Sequence, residues 1–222
     1  MARSVTRSVV CIGDSNTHGT VPRAEGSPRR RHPWGVRWTS LLAGRLGEGW
    51  LVVEEGHPSR TTLYPDPVDG AHKCGLAVLP ALLESHAPMD AVILMLGTND
   101  LKARYAATPR AIGLGVERIA QRIVSTEWER GCGPDGRAPR LLVVAPPPVP
   151  ASGPFERDEP GAAERSEGMG REIGAAAARL GVPFLDLDGV VACDPIDGVH
   201  YDAAGHATIA RAVGDAFAAM TG

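Results

Sequence analysis

The chain has 222 residues, 43% of them apolar, and a formal net charge of -3 from 23 Lys and Arg against 26 Asp and Glu. This supports a sizeable core and argues against a general binder of nucleic acid or acidic membrane surfaces, which needs surplus positive charge. No stretch approaches the ~20 apolar residues that span a bilayer, and 27 Gly with 19 Pro predict an ordered protein with long, turn-rich loops.

The chain opens Met-Ala-Arg-Ser-Val-Thr-Arg and then runs Val9-Val10-Cys11-Ile12. That run is too short for the core of a signal peptide and reads as a buried strand. Similar short runs, rich in Val, Ile and Leu, fall at 8–13, 50–54, 91–96, 140–145 and 182–185. Their length and composition suit strands buried on both faces. Helical patterns lie between them. Trp38, Leu41, Leu42 and Leu46 share one helical face. Thr108-Pro109 offers an N-cap and a first-turn proline before Ile112, Val116, Ile119 and Ile123. Met169, Ile173, Ala177 and Leu180 recur the same way until Gly181 and Pro183 stop them. Asp202 caps a last helix carrying Ile209, Val213, Ala216, Phe217 and Met220. Cys11, Cys74, Cys132 and Cys193 form no CxxC and no zinc spacing. They read as buried or loose thiols of a cytoplasmic protein.

This βαβα alternation predicts an α/β fold with a parallel sheet and helices on both faces, whose ligands sit at the carboxyl ends of the strands. The long loops 16–33, 57–73 and 146–160 all leave from such ends and should rim one site. The first strand runs into Gly13-Asp14-Ser15-Asn16-Thr17. Ser15 there can present its Oγ beside unpaired backbone N–H groups; equally, Asp or Ser caps a helix. Gly97-Thr98-Asn99-Asp100 follows the third strand, where Asn99 aims an amide into the cleft or serves a turn. Asp197-Gly198-Val199-His200 precedes the last helix. That spacing lets Asp197 accept Nδ1–H of His200 and leave Nε2 free as a base; the alternative is a capping Asp beside a solvent-facing His. A metal reading of Asp197, His200 and His206 lacks further ligands. Together the three segments carry a nucleophile, a donor and an Asp–His pair, the outfit of a serine hydrolase.

On these residues the sequence resembles the SGNH (GDSL-like) hydrolases over nearly its whole length. Gly13-Asp14-Ser15, Gly97-Thr98-Asn99-Asp100 and Asp197-Gly198-Val199-His200 match three blocks in order. Val36-Arg37-Trp38-Thr39, Glu54-Glu55-Gly56, Arg60-Thr61-Thr62, Met95-Leu96-Gly97 with Lys102, and Ala145-Pro146-Pro147-Pro148 are similar to the arylesterase/acyltransferase (perhydrolase) subgroup. The resemblance implies a single esterase domain over 1–222, a three-layer α/β/α sandwich with a flavodoxin-like parallel five-stranded sheet. It implies Ser15, His200 and Asp197 as catalytic residues, and an oxyanion hole made by Ser15 N–H, Ser59 N–H and the Asn99 side chain. It further implies short-chain ester and alcohol substrates, acyl transfer or perhydrolysis beside hydrolysis, no cofactor or metal, no nucleic-acid or membrane partner, and a homo-oligomer. A carbohydrate O-deacetylase or a non-catalytic binding module on the same fold are the alternatives.

The sequence departs from the family at several places. Asn16 stands where the family usually has Leu and is expected to support the pocket wall. Ser59 replaces a Gly, and a positive φ there would strain it. His18 and Thr20 stand where the subgroup tends to carry aromatic residues, which implies a wider or more polar acyl pocket. Asn16, His18 and Phe155 are the expected substrate-binding residues, with Phe155 on a proline-stiffened loop that can act as a lid or subunit contact. Asp14 is expected to hold the turn, and Lys102 to pair with a nearby carboxylate or carbonyl. The run Arg29-Arg30-Arg31 reads as a solvated loop or subunit contact in preference to an anion site. His57 reads as a loop residue, and Trp34 and Trp38 as packing or interface residues.

Overall fold

The computed structural model describes residues 7–125 and 132–221; the opening segment 1–6 lies outside the described residues. Five parallel strands, β1 (Arg7–Gly13), β2 (Trp50–Gly56), β3 (Ala91–Met95), β4 (Arg140–Ala145) and β5 (Phe184–Asp186), form one sheet in the order β2-β1-β3-β4-β5. The helices are α1 (Ser15–His18), α2 (Trp38–Leu46), α3 (Gly75–His86), α4 (Pro109–Val124), α5 (Pro154–Asp158), α6 (Ala162–Ser166), α7 (Met169–Leu180) and α8 (Ala203–Thr221).

Because side chains alternate along a strand, each strand supplies both cores. Val10, Ile12, Val92, Leu94, Leu141 and Val143 pack with Leu79 and Leu83 of α3, Ile112 and Val116 of α4, and Met169 and Ile173 of α7. Val9, Cys11, Ile93, Met95, Leu142 and Val144 pack on the other face with Trp38 and Leu42 of α2 and Ile209, Val213 and Phe217 of α8. This is the three-layer α/β/α sandwich expected from the sequence. Thr108 accepts the Ala111 N–H at 3.2 Å and starts α4 with Pro109 in its first turn, and Asp202 accepts the Gly205 N–H at 2.7 Å in the first turn of α8.

Some local expectations need correction. Burial on both faces is complete only for β3 and nearly so for β1 and β4; β2 and β5 are edge strands and are partly exposed. The last strand also begins at Phe184 rather than 182, after the turn that closes α7. Helix α3 has no counterpart in the sequence reading, because Pro80 in its interior removes a backbone donor and masks the four-residue recurrence of Leu79 and Leu83. The loop 146–160 contains the short helix α5.

The chain steps from β1 outward to β2, then back across β1 to β3. The crevice beyond the carboxyl ends of β1 and β3 is therefore the topological switch point, where open α/β sheets take their ligands. Among the described residues no helix is long and apolar enough to cross a membrane. The four cysteines are free, three of them buried.

Candidate active site

Ser15 is the first residue of α1 and follows β1 by one residue, so the strand end and helix start both fix it. Gly13 matters here for close approach rather than for a special backbone angle. A Cβ at this position would lie 2.0 Å from Thr17 Oγ1 and 2.9 Å from the Met95 carbonyl. Asp14 caps the turn by accepting the Asn16 N–H at 2.9 Å.

His200 comes from the loop before α8, and its Nε2 lies 3.0 Å from Ser15 Oγ. Its Nδ1 lies 2.8 Å from Asp197 Oδ2. The three-residue spacing works because the backbone turns back on itself. Gly198 takes φ +76°, and Asp197 Oδ1 accepts the N–H groups of Val199 (3.1 Å) and His200 (3.0 Å). Asp197 Oδ2 also accepts the Arg23 N–H at 3.1 Å from the loop after α1. Burial alone would raise the Asp197 pKa. The hydrogen bond and charge of His200, with the two backbone donors, outweigh it and hold the carboxyl below its ordinary value. The group is therefore an anion at neutral pH, hydrogen-bonded to the imidazole.

Asn99 sits in a short 3₁₀ turn after β3, and its Nδ2 lies 3.3 Å from Asp14 Oδ2. One amide hydrogen satisfies that contact and the other is available to a ligand. Asp14 is fully buried, which pushes its pKa up to about 6 against the pull of the Asn16 N–H, His200, Arg60 and Asn99. Ser59 arrives from the loop after β2. Arg60 anchors this loop by donating to the carbonyls of Gly13 (3.0 Å) and Glu55. Asp100 anchors it from β3's side, accepting the Thr62 N–H at 3.0 Å and the Thr62 hydroxyl.

Ser59 has φ +65°, in the left-handed region where a residue with a Cβ pays roughly 1–2 kcal/mol. The strain anticipated for a serine here is present. Ser59→Gly should raise stability by about 0.5–1 kcal/mol net, the strain relieved less the entropy that glycine adds to the unfolded chain, without lowering kcat, because the backbone N–H is retained. Thermal melts of the two proteins check it.

Asp100 also gives a pH prediction. Burial, opposed by the Thr62 bonds and reinforced by nearby Asp14, raises its pKa to about 7. A raised carboxyl pKa stabilises the fold below the unfolded value of ~3.9, and that stability is lost as pH rises through the folded value. Wild type should therefore lose roughly 2 kcal/mol between about pH 5 and pH 8.5 that Asp100→Asn does not lose. Urea unfolding at the two pH values measures the difference.

The cavity over Ser15 has a volume of about 340 Å³, and its walls include His18, Ser59, Asn99, Phe155, Val199 and His200. All three predicted loops reach it. Asn16 does not. It is 1% exposed and its side chain donates to the Val199 carbonyl at 3.1 Å, tying the Ser15 turn to the His200 loop. Asn16 therefore supports the wall through Val199, as its expected wall role requires, while its Oδ1 is buried without a hydrogen-bond partner. His18 does face the cavity; burial, then the charges of Arg31 and Arg37, lower its pKa and keep the ring neutral.

Other residues fall as follows. Lys102 lies 3.6 Å from Asp66 and 3.8 Å from Asp69, as expected, yet also forms part of the cavity wall. Trp38 is buried in the core and Trp34 is 62% exposed. His57 meets His72 edge to face, with ring centroids 5.5 Å apart, and is not among the wall residues. His206 is buried, with its Nδ1 3.3 Å from the Trp38 N–H. Among the described residues no group of three or more His, Cys, Asp or Glu could hold a metal.

Sequence reasoning missed two contributions. The Arg23 backbone donor to Asp197 carried no side-chain signal. Arg29, Arg30 and Arg31 are exposed, as a solvated run predicts, and all three also form part of the cavity wall. The signal was available, because they lie in a loop already expected to rim the site.

A Ser hydroxyl bonded to an imidazole that is bonded to a buried carboxylate can deliver an oxygen nucleophile to a carbonyl. The chain is also similar to known acyl hydrolases. The family model of GDSL-like lipases and acylhydrolases matches residues 11–208. The M. smegmatis aryl esterase is 35% identical, with 97% of this chain and 100% of that one covered at a TM-score of 0.89. Est24, a carbohydrate acetylesterase from Sinorhizobium meliloti, is 40% identical, with 96% and 99% covered at 0.89. A second carbohydrate acetylesterase family member from the same organism is 33% identical, with 97% and 99% covered at 0.85. No curated protein sequence matches at a significant level. Matched over most of its length, and sharing its fold with these enzymes, the chain belongs to the GDSL-like lipase/acylhydrolase family, the SGNH esterases.

Proposed function

We propose that this protein is a serine esterase for short-chain acyl esters, working through an acyl-enzyme on Ser15. The observation that carries the reading is the unbroken hydrogen-bond chain from Asp197 through His200 to Ser15 Oγ at the wall of the cavity. Ser15 Oγ attacks the ester carbonyl as His200 Nε2 takes its proton. The resulting oxyanion is held by the N–H groups of Ser15 and Ser59 and by the Asn99 amide. Collapse expels the alcohol, which receives the proton from His200, and leaves the acyl group on Ser15. Water, deprotonated by His200, then releases the acid and restores the hydroxyl.

Asp197 keeps the imidazole in one tautomer and balances the charge of the imidazolium. Asn99 contributes only when negative charge develops on the carbonyl oxygen, so Asn99→Ala should lower kcat by about 10²–10³ with a much smaller change in KM. Steady-state kinetics on a nitrophenyl ester separate the two constants.

An alcohol or hydrogen peroxide can replace water in the second step, giving a new ester or a peracid. Phe155, Pro58 and Val199 on the cavity wall favour an organic acceptor over water, which supports acyl transfer beside hydrolysis. A second reading, O-deacetylation of a carbohydrate, draws on the likeness to Est24. Product analysis with vinyl acetate, alone, with added alcohol, with added hydrogen peroxide, and beside an acetylated sugar, tests all four reactions. No acyl product from any activated acetate, and no labelling of Ser15 by a fluorophosphonate, would remove the esterase reading.

A further inference from the structure

The chain is acidic overall, with a net charge of -3, but the wall of the Ser15 cavity is not. It includes Arg23, Arg29, Arg30, Arg31 and Lys102, and neither Asp nor Glu. Two of these cations are answered by carboxylates: Arg31 pairs with Glu54 at 3.0 Å, and Lys102 lies near Asp66 and Asp69. The Arg23 guanidinium donates to the Ser27 carbonyl. Arg29 and Arg30 are exposed, and no ion pair or hydrogen bond engages their guanidinium groups among the described residues. Of the nearby acids, Glu25 and Asp158 share the one cation Arg157, at 3.1 and 2.9 Å, and Asp197 is hydrogen-bonded to His200; none of them pairs with Arg29 or Arg30.

The loop bearing these arginines is held in place. Thr20 and Arg31 form an antiparallel bridge, the Val21 N–H donates to the Arg30 carbonyl at 3.0 Å, and the Arg23 N–H donates to Asp197 Oδ2 at 3.1 Å. The same loop therefore orients the Asp–His pair and carries uncompensated positive charge over the nucleophile. A cleft lined by one sign of charge raises the local concentration of oppositely charged ligands, and with it the rate of productive encounter.

We propose that the preferred substrates are anionic esters, bearing a carboxylate on either the acyl or the alcohol part, with Arg29 and Arg30 as the specificity-determining residues. This rests on the esterase reading above and narrows its substrate class.

The test compares matched pairs that differ only in charge. Mono-4-nitrophenyl adipate against its methyl ester places the charge on the acyl side. 4-Acetoxybenzoate against methyl 4-acetoxybenzoate places it on the alcohol side. Values of kcat/KM are measured, after subtraction of spontaneous hydrolysis, at about 20 mM and about 0.5 M sodium chloride, between which the screening length falls from ~20 Å to ~4 Å. In at least one pair the anionic member should be favoured by about tenfold at low salt, and that pair identifies the side that carries the charge. The preference should shrink at high salt and be lost or reversed in the Arg29→Glu/Arg30→Glu double variant. If the neutral members turn over while neither anionic member is favoured at either salt, the substrate inference is wrong and the esterase reading stands. If none of the four esters nor 4-nitrophenyl acetate turns over, the esterase reading fails and takes this inference with it.

Discussion

Ser15→Ala should lower kcat on 4-nitrophenyl acetate by about 10⁶, by analogy with loss of the nucleophile in other hydrolytic triads. The magnitude follows from the proposed division of labour. Without the hydroxyl no acyl-enzyme forms, and the remaining rate comes from water attacking a carbonyl held by Asn99 and the backbone donors. His200→Ala should cost nearly as much, and the double variant little more, because the two residues act as one unit. The fold should tolerate the change. Ser15 is the first residue of α1, where alanine is acceptable, and the substitution removes one side-chain hydrogen bond, the 3.0 Å contact to His200; such a bond is worth about 1 kcal/mol. Kinetics, fluorophosphonate labelling and a thermal melt on the same sample separate lost chemistry from lost structure. A folded variant keeping more than about a hundredth of wild-type kcat, far more than a triad without its nucleophile retains, would put the nucleophile elsewhere.

Asp197→Asn should lower kcat by about 10⁴, again by analogy with other triads. Each oxygen of Asp197 has two donors facing it. Oδ1 accepts from the N–H groups of Val199 and His200, and Oδ2 accepts from His200 Nδ1 and the Arg23 N–H. An asparagine oxygen can serve one pair only. With its oxygen toward Val199 and His200, its NH₂ opposes the Arg23 N–H and forces the unprotonated nitrogen of His200 to be Nδ1. Nε2 then carries the proton and cannot accept one from Ser15. With the amide flipped, two backbone donors of the turn lose their acceptor and the loop is destabilised. Substrate affinity should change little in the first case, since Asp197 is not part of the wall of the cavity over Ser15. NMR of the His200 ring nitrogens distinguishes a changed tautomer from a displaced loop, and a variant with native tautomer and near-native kcat would contradict the assigned role.

Much of this molecule was legible from periodicity and punctuation. The apolar runs, the Thr108-Pro109 helix start and the Gly181 stop are local features, determined by neighbours in sequence, and they imply a parallel α/β sheet. The carboxyl-end rule then directed attention to Ser15, Asn99 and the Asp197–His200 pair. Helix α3 escaped because Pro80 interrupts its pattern, and the edge character of β2 and β5 escaped because strand order is a property of the whole sheet.

The amino-acid sequence by itself determined the layers, the order of the elements and which residue types stand at the strand ends. Only the tertiary structure decided what those residues do to one another. Ser15 and His200 are 185 positions apart and meet within 3.0 Å because the first strand and the loop before the last helix close on one crevice. Asn16 is buried behind the cavity wall and bonds Val199, while Arg29 and Arg30 form part of that wall. The physical reason is common to all three. Propensity and pattern act over a few residues, whereas the direction of a loop side chain is set by hydrogen bonds between separated segments, such as those from the Val21 N–H to the Arg30 carbonyl and from the Arg23 N–H to the Asp197 carboxylate.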